Sequence, residues 1–406
     1  MIAATFWIVG LFPAGDVWPE FNSFGGVAEG KAPTTWSEAS NVRWKTPIHG
    51  KGWASPVVWK NQIWCATATE DGKRLSAVCV NRESGKIVHD VKVFDVSDPE
   101  FCHPTNSYAS CTPAIEEGRI YAHFGTYGTA CLDTATGKTI WERRDLPCDH
   151  FRGPASSPII HNGKVYINFD GVDIQYVACL DKTDGHTIWK KDRSTEYGEI
   201  IGDAKKAYST PEVIEVNGQK QLVSAGAVAT IAYDLETGNE LWRFRHGGMN
   251  AGCRPRFHDG ILYLNAGAAN NALVALKLSG KTGDLGDSDV LWRTSRNAPQ
   301  KPSPIYWNGM LFTVADNGVV SCLDAKTGEA HWRERAKGDY WSSPLLVDGK
   351  LYCSSQQGQT YVFAADTKPK QLAVNTLDDG GNASPIALGN AIYLRTRTHL
   401  YRLEEK

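Results

Sequence analysis

No run of about 18 or more apolar residues occurs in the 406-residue chain, so the sequence offers no membrane-spanning helix. Charge of one sign is also missing. The chain has 43 Lys and Arg against 45 Asp and Glu, a formal net charge of −2, and no long block of like charge. That balance lacks the electrostatic footprint of a nucleic-acid partner. The ten Cys include no C-x-x-C pair, no C-x-x-C-H and no two neighbours in sequence, so zinc-ribbon and attached-haem readings drop out. Gly-x-Ser-x-Gly is absent, and no Ser-His-Asp order or phosphate-cradling Gly loop appears.

Repetition is what the chain has instead. Ala130–Trp141 reads ACLDTATGKTIW, and the phrase returns at Ala178–Trp189, Ile231–Trp242 and Ser321–Trp332. Each copy reads as a strand, a tight turn and a second strand that carries Trp. Asp133 and Thr136 can hydrogen-bond the local backbone, and Gly137 can take the positive φ of the turn. The steps Gly137→Trp141, Gly185→Trp189, Gly238→Trp242 and Gly328→Trp332 are all four residues. Repetition of this kind means an array of similar units.

A second marker precedes each unit: a small or polar pair, Pro, then apolar residues. It stands at Pro56, Pro113, Pro158, Pro211, Pro255, Pro304, Pro344 and Pro385, at steps of 40 to 57 residues. Polar-Gly turns follow most markers and suit hairpins. Four short antiparallel strands per repeat make a propeller blade. The expected fold is therefore all-β, an eight-bladed β-propeller over 42–406. The eighth blade runs out after three strands, and the orphan strand around Trp44 is expected to close it. Three irregularities stand out: Ile87-Val88 at the Trp position of the first blade, Leu372 at that of the seventh, and an insertion, Lys281–Asp289, in the fifth. Residues 16–41 read as an irregular extension lying over the body. Residues 1–15 hold an apolar run without a preceding Lys or Arg, read as an export leader cleaved near Ala14 or Gly15. The expected location is periplasmic or extracellular.

The phrase A-x-D-x-x-T-G-x-x-x-W resembles the tryptophan-docking repeat of the pyrroloquinoline-quinone-type propellers, over about Val42 to Lys406. That superfamily includes quinoprotein alcohol dehydrogenases and a non-enzymatic eight-bladed lipoprotein of the outer-membrane barrel-assembly machine. The resemblance implies that Trp44, Trp141, Trp189, Trp242, Trp292 and Trp332 each dock on a neighbouring blade. It says little about activity, because one fold hosts many functions.

Register makes Cys79, Cys131, Cys179 and Cys322 small core residues at the motif's Ala position, shared with Ala232 and Ala364. Cys65 and Cys353 share another strand register, and a Cys65–Cys79 bridge between neighbouring strands is one option. Cys102 and Cys148 fall in loops and are the best disulfide candidates in an exported chain. His103, His123 and His150 could meet on the face of the second and third blades, but their spacing matches no ligand pattern, and no metal site is expected.

Propellers place function on the loops around the channel. One face would carry Lys51, Trp53, Tyr108, Arg152, Lys206, Tyr208, Asn250, Arg254, Lys301, Tyr340, Trp341 and Asn382. Trp53, Tyr108, Tyr340 and Trp341 could stack a planar or sugar-like ligand, and Arg152, Lys206, Arg254 and Lys301 could hold an anionic group. The competing reading makes the aromatics channel plugs. The favoured function is a non-catalytic, monomeric binding or scaffold module for a protein, peptide or carbohydrate, without a cofactor. The alternative, implied by the resemblance, is a quinoprotein dehydrogenase using pyrroloquinoline quinone and calcium, with Asp170, Asp173, Asn270 and Asp316 recruited as ligands or base. Such enzymes often carry a disulfide between adjacent Cys, which this chain lacks.

Overall fold

Proline opens each innermost strand at little cost, because an edge strand leaves some N–H groups unpaired in any case. The computed structural model describes residues 16–405, and the leader reading of 1–15 lies outside them. The second repeat shows the unit. Ala114–Glu116, Arg119–His123, Thr129–Asp133 and Thr139–Arg143 pair antiparallel in sequence order, from the channel outward. Eight such sheets form the ring. The last contains Ile386–Leu388, Ala391–Arg395 and His399–Glu404, and Val42–Pro47 supplies its outer strand, with Trp44 opposite Arg402. The orphan strand therefore closes the ring as expected.

The apolar core is divided into clusters between adjacent blades. Tyr121 and Trp141 of the second blade pack with Val165, Ile167 and Leu180 of the third. The motif's Gly and Trp meet at these seams. The indoles of Trp44, Trp141, Trp189, Trp292 and Trp332 donate Nε1–H to the carbonyls of Arg82, Lys182, Leu235, Ala325 and Asp366 in the next blade, at 2.8–3.1 Å. Under the first four of these indoles lies the Gly of that blade's turn, Gly85, Gly185, Gly238 or Gly328; the turn under Trp332 has no Gly. A Cβ on Gly185 would sit 2.6 Å from Trp141. Each buried indole contributes about 2–3 kcal/mol.

Trp242 departs from this pattern. The insertion after the fifth blade's third strand places Gly283–Leu285 parallel to Glu240–Arg245, as a fifth strand on the fourth blade. Trp242 is buried beneath it and donates to Gln221 Oε1 of its own blade, at 2.8 Å. In the first blade, His89 rather than Ile87-Val88 takes the Trp register, opposite Cys79, and stacks on Trp64. In the seventh, Ala373 rather than Leu372 takes it, opposite Val362, so Ala364 lies two positions past the motif's Ala. A turn of different length in that blade shifts the sequence alignment.

The extension is the larger correction. It does not lie over the body. Val17–Trp18 pairs with Val57–Trp59, the innermost strand of the first blade, and Val27–Ala28 pairs with Leu345–Val347, the innermost strand of the seventh. Between them the chain reverses inside the channel. Pro19 O accepts from Ile115 N of the second blade, and Glu20 Oε2 accepts from Ile160 N of the third. Glycine is required at this reversal: at Gly26, φ is +75° and a Cβ would lie 2.7 Å from Asn22 Oδ1. The segment then leaves past Gly389, and Trp36 stacks on Tyr352 on its way to the outer strand. The Gly-rich passage is thus a plug that enters the channel from the face of the polar-Gly turns.

Candidate functional site

The residue before each marker Pro carries a hydroxyl in seven of the eight blades, and these hydroxyls tie the blades together around the channel. The Ser55, Thr112 and Ser157 amides donate to the hydroxyls of Thr112, Ser157 and Thr210, at 2.9–3.1 Å. Arg254, Ser303, Ser343 and Ser384 donate to Ser303, Ser343, Ser384 and Ser55, at 2.9–3.0 Å. The belt lapses between Thr210 and Arg254, where no hydroxyl is available. Arg254 instead reaches into the plug, binding Phe21 O and pairing with Glu20 Oε1 at 2.7 Å.

Above the belt opens a cavity of about 560 Å³, floored by Phe21 of the plug and by Ser55, Thr112, Ser157, Thr210 and Ser384. Of the expected face residues, Trp53, Arg152, Tyr208, Asn250, Lys301, Trp341 and Asn382 line it. A neighbouring chamber of about 600 Å³ takes Lys51 and Tyr108, and Trp53, His103, Thr105, Asn106 and Asn382 border both. The wall between the chambers is built by two contacts to one loop. Trp53 Nε1 donates to Thr105 O at 3.1 Å and Lys51 Nζ to Pro104 O at 2.7 Å.

Three expected residues face elsewhere. Lys206 is fully buried, with its ammonium 3.3 Å from Asp170 O and 4.9 Å over the Tyr208 ring, and burial lowers its pKa. Arg254 is buried on the plug side. Tyr340 is buried, and its hydroxyl donates to Lys337 O. A position on a loop does not set the direction of a side chain, and these three turn into the body.

The charges of the funnel are matched in pairs. Arg152 Nε lies 3.0 Å from Asp203 Oδ2, too oblique for a hydrogen bond, and Lys301 Nζ bonds Asp316 Oδ1 at 2.7 Å. The Lys301 ammonium also lies 4.8 Å over the Trp341 ring. Several polar atoms remain without a hydrogen-bond partner among the described residues: Asp203 Oδ1, Asn250 Oδ1, Asn382 Oδ1 and the Tyr208 hydroxyl. Burial raises the Tyr208 pKa, so the phenol is neutral. Buried polar atoms of this kind cost free energy unless water or a ligand meets them.

The quinone-and-calcium alternative needs carboxylate and amide oxygens that converge. Asp170 is buried in a bidentate pair with Arg193, and Asp173 accepts from Asp149 N. Asn270 Nδ2 bonds His246 O, and Asp316 is held by Gln300 N and Lys301. The four groups are committed to different neighbours and do not form a shared ligand set.

The histidines do not form a metal group either. His103 bonds Thr105, His123 is buried against Thr129, and His150 is buried beside Cys148, with Nε2 3.4 Å from Sγ. Among the described residues, Asp181, Asp184 and His186 bring three such ligand atoms within 4.8 Å, on one exposed turn. All ten Cys are free thiols, so neither Cys102–Cys148 nor Cys65–Cys79 forms a bridge. Cys148 is turned inward against His150, and Cys102 sits over Gly153, whose Cβ would lie 2.6 Å from its sulfur.

Burial pushes His123 down to about 3 and His246 to about 4, and it holds His150 well below the ordinary 6.5. Unfolding lets these rings take protons that the folded state refuses. Their stabilising contribution is therefore complete above pH 6.5 and is lost as pH falls below it. Each ring costs about 1.4 kcal/mol per pH unit, so the three together remove about 3–4 kcal/mol between pH 6 and 5. Urea midpoints at pH 7, 6 and 5 check this, and His123→Asn should lower the slope by about a third. A flat profile would contradict the buried neutral rings.

The chain matches the family described as outer membrane protein assembly factor BamB, over residues 34–175 and 173–406. Tetrathionate hydrolase from Acidithiobacillus ferrooxidans is 23% identical over 68% of this chain and 53% of its own length. Outer membrane protein assembly factor BamB from Yersinia pestis is 23% identical over 62% of this chain and 60% of its own. The chain thus spans just over half the length of these curated relatives. Among solved structures, quinohemoprotein alcohol dehydrogenase from Comamonas testosteroni superposes with a TM-score of 0.65 at 11% identity, over 96% of this chain and 81% of that one. That likeness concerns the fold.

Proposed function

The chain belongs to the family described as outer membrane protein assembly factor BamB, and from that premise we propose that it is an exported, non-catalytic scaffold that holds a partner on its loop-lined face. The observation that carries this reading is the funnel. It is open and aromatic, and its lining cations Arg152 and Lys301 are paired with Asp203 and Asp316. Such a surface offers recognition without a nucleophile, a general base or a converged ligand set. The family description favours a protein partner.

Capture from an envelope fraction, with the Trp53→Ala, Trp341→Ala double variant as control, tests the reading. Both indoles are only partly buried at the cavity wall, so the variant should lose its partner at least about tenfold while its melting temperature stays nearly unchanged. A large loss of stability would make them channel plugs instead. Saturable quenching of indole fluorescence by pyrroloquinoline quinone with calcium, followed by dye reduction on an alcohol, would replace the scaffold with the dehydrogenase reading.

A further inference from the structure

We propose that the funnel's rim, on the loops leading into the second, third and fourth blades, docks a basic segment of a protein partner whose apolar side chains cover Phe101 and Phe151. The inference rests on the scaffold reading and supplies the partner's chemistry.

The apolar surface comes first. Among the described residues, Ile87, Val88, Ile140, Leu291 and Val374 are exposed on outermost strands, and Phe24 in the plug. The other exposed large apolar side chains are Phe101, Phe151 and Ile201, at 58%, 44% and 78%. They stand on three successive entry loops. The Phe101 and Phe151 ring centroids lie 6.0 Å apart, and the pair between Arg152 and Asp203 ties the Phe151 loop to the Ile201 loop. Neither ring lines a chamber, but each touches a residue that does. His103 meets Phe101 edge to face, and the Arg152 guanidinium lies 5.8 Å over Phe151. A chain entering the funnel on this side crosses both rings. An exposed apolar patch beside a recess suits a protein contact.

Charge then selects the occupant. Asp98 and Glu100 lead into Phe101. Asp149 Oδ1 accepts from Phe151 N at 2.7 Å, and Asp173 Oδ1 accepts from Asp149 N at 2.9 Å. Among the described residues, none of these four carboxylates forms an ion pair with Lys or Arg. After burial, Asp149 and Asp173 are the next causes that raise the Glu100 pKa, so their fields reach one another. The neighbouring cations do not offset them. Arg152 is spent on Asp203, Lys205 lies over the Tyr197 ring, and Lys206 is buried. Lys51 has no carboxylate partner, but it lines the second chamber and donates to Pro104 O. The rim is therefore acidic around an apolar pair. An acidic segment is repelled and a polar one leaves the rings wet. Lys or Arg flanking apolar side chains meets both demands.

The test is fluorescence anisotropy on the full chain with three short labelled peptides. The first alternates Lys with Leu and Phe, the second replaces its Lys by Glu, and the third replaces its Leu and Phe by Ser. The first should bind at least about tenfold tighter than either other. It should weaken severalfold between about 50 and about 300 mM salt. The Phe101→Ser, Phe151→Ser double variant should remove most of its advantage with melting unchanged. Asp98→Asn with Glu100→Gln should flatten the salt dependence. Equal binding of the second or third peptide overturns the proposal, as does silence from the first or indifference to the double variant. If envelope-protein capture depends on Trp53 and Trp341 while the Phe101→Ser, Phe151→Ser variant captures normally, the scaffold reading stands and the rim inference falls. If capture depends on neither pair, both fall.

Discussion

A chain lacking residues 1–47 is expected to self-associate, while one lacking only residues 1–30 keeps the size of the full protein. The longer deletion removes Val42–Pro47 and leaves His399–Glu404 with an open edge along five paired positions. An unpaired edge in an otherwise closed ring is a template for a second chain. It also removes Trp44 from the seam with the first blade, where its indole caps Gly85 and bonds Arg82 O. That packing and hydrogen bond are worth about 3 kcal/mol before the strand pairing is considered. The shorter deletion takes out the plug but leaves the ring closed. Size-exclusion chromatography with light scattering separates the two. If the 1–47 deletion elutes and melts like the full chain, the ring is not closed by that strand.

The ring was legible because its signals are local. The Asp-x-x-Thr-Gly turn, the Pro markers and the fixed step to Trp each act within a few residues, so they survive without knowledge of the fold. The plug was not legible. Residues 16–30 have no strand period, and their partners, Arg254 and Gly389, lie more than 200 positions away. One signal pointed there. Arg254 occupies the marker position at which Ser or Thr stands in the other seven blades. The first blade carried a similar sign, since His89 lies four residues after Gly85, the step that leads to Trp elsewhere. The sequence placed most of these residues around one cavity, but not the inward turn of Lys206, Arg254 and Tyr340. Side-chain direction there is decided by neighbouring blades.

Arg254→Ala is expected to cost about 3–5 kcal/mol, the range for breaking one partner out of a buried charged cluster. Its guanidinium is buried, and burial alone would lower its pKa. Glu212 and Glu20 more than offset this and hold it raised. Glu20 and Glu212 are themselves mostly buried, so removing the cation strands two carboxylates. Arg256 is an incomplete substitute: it reaches Glu212 at 3.5 Å, and its own pKa is lowered, first by burial and despite Glu212. The plug also loses the bond from Arg254 to Phe21 O, beside the floor of the funnel. Amides of Val17–Ala28 should therefore exchange with solvent faster in the variant, while those of the outer strands hold. Arg254→Ser should recover about 1 kcal/mol by supplying the hydroxyl that the belt lacks between Thr210 and Ser303, but it should leave the plug loose. Urea unfolding gives the first quantity and hydrogen exchange the second. Unchanged protection of the plug in Arg254→Ala would mean that the strand pairings at Trp59 and Leu346 hold it without the arginine.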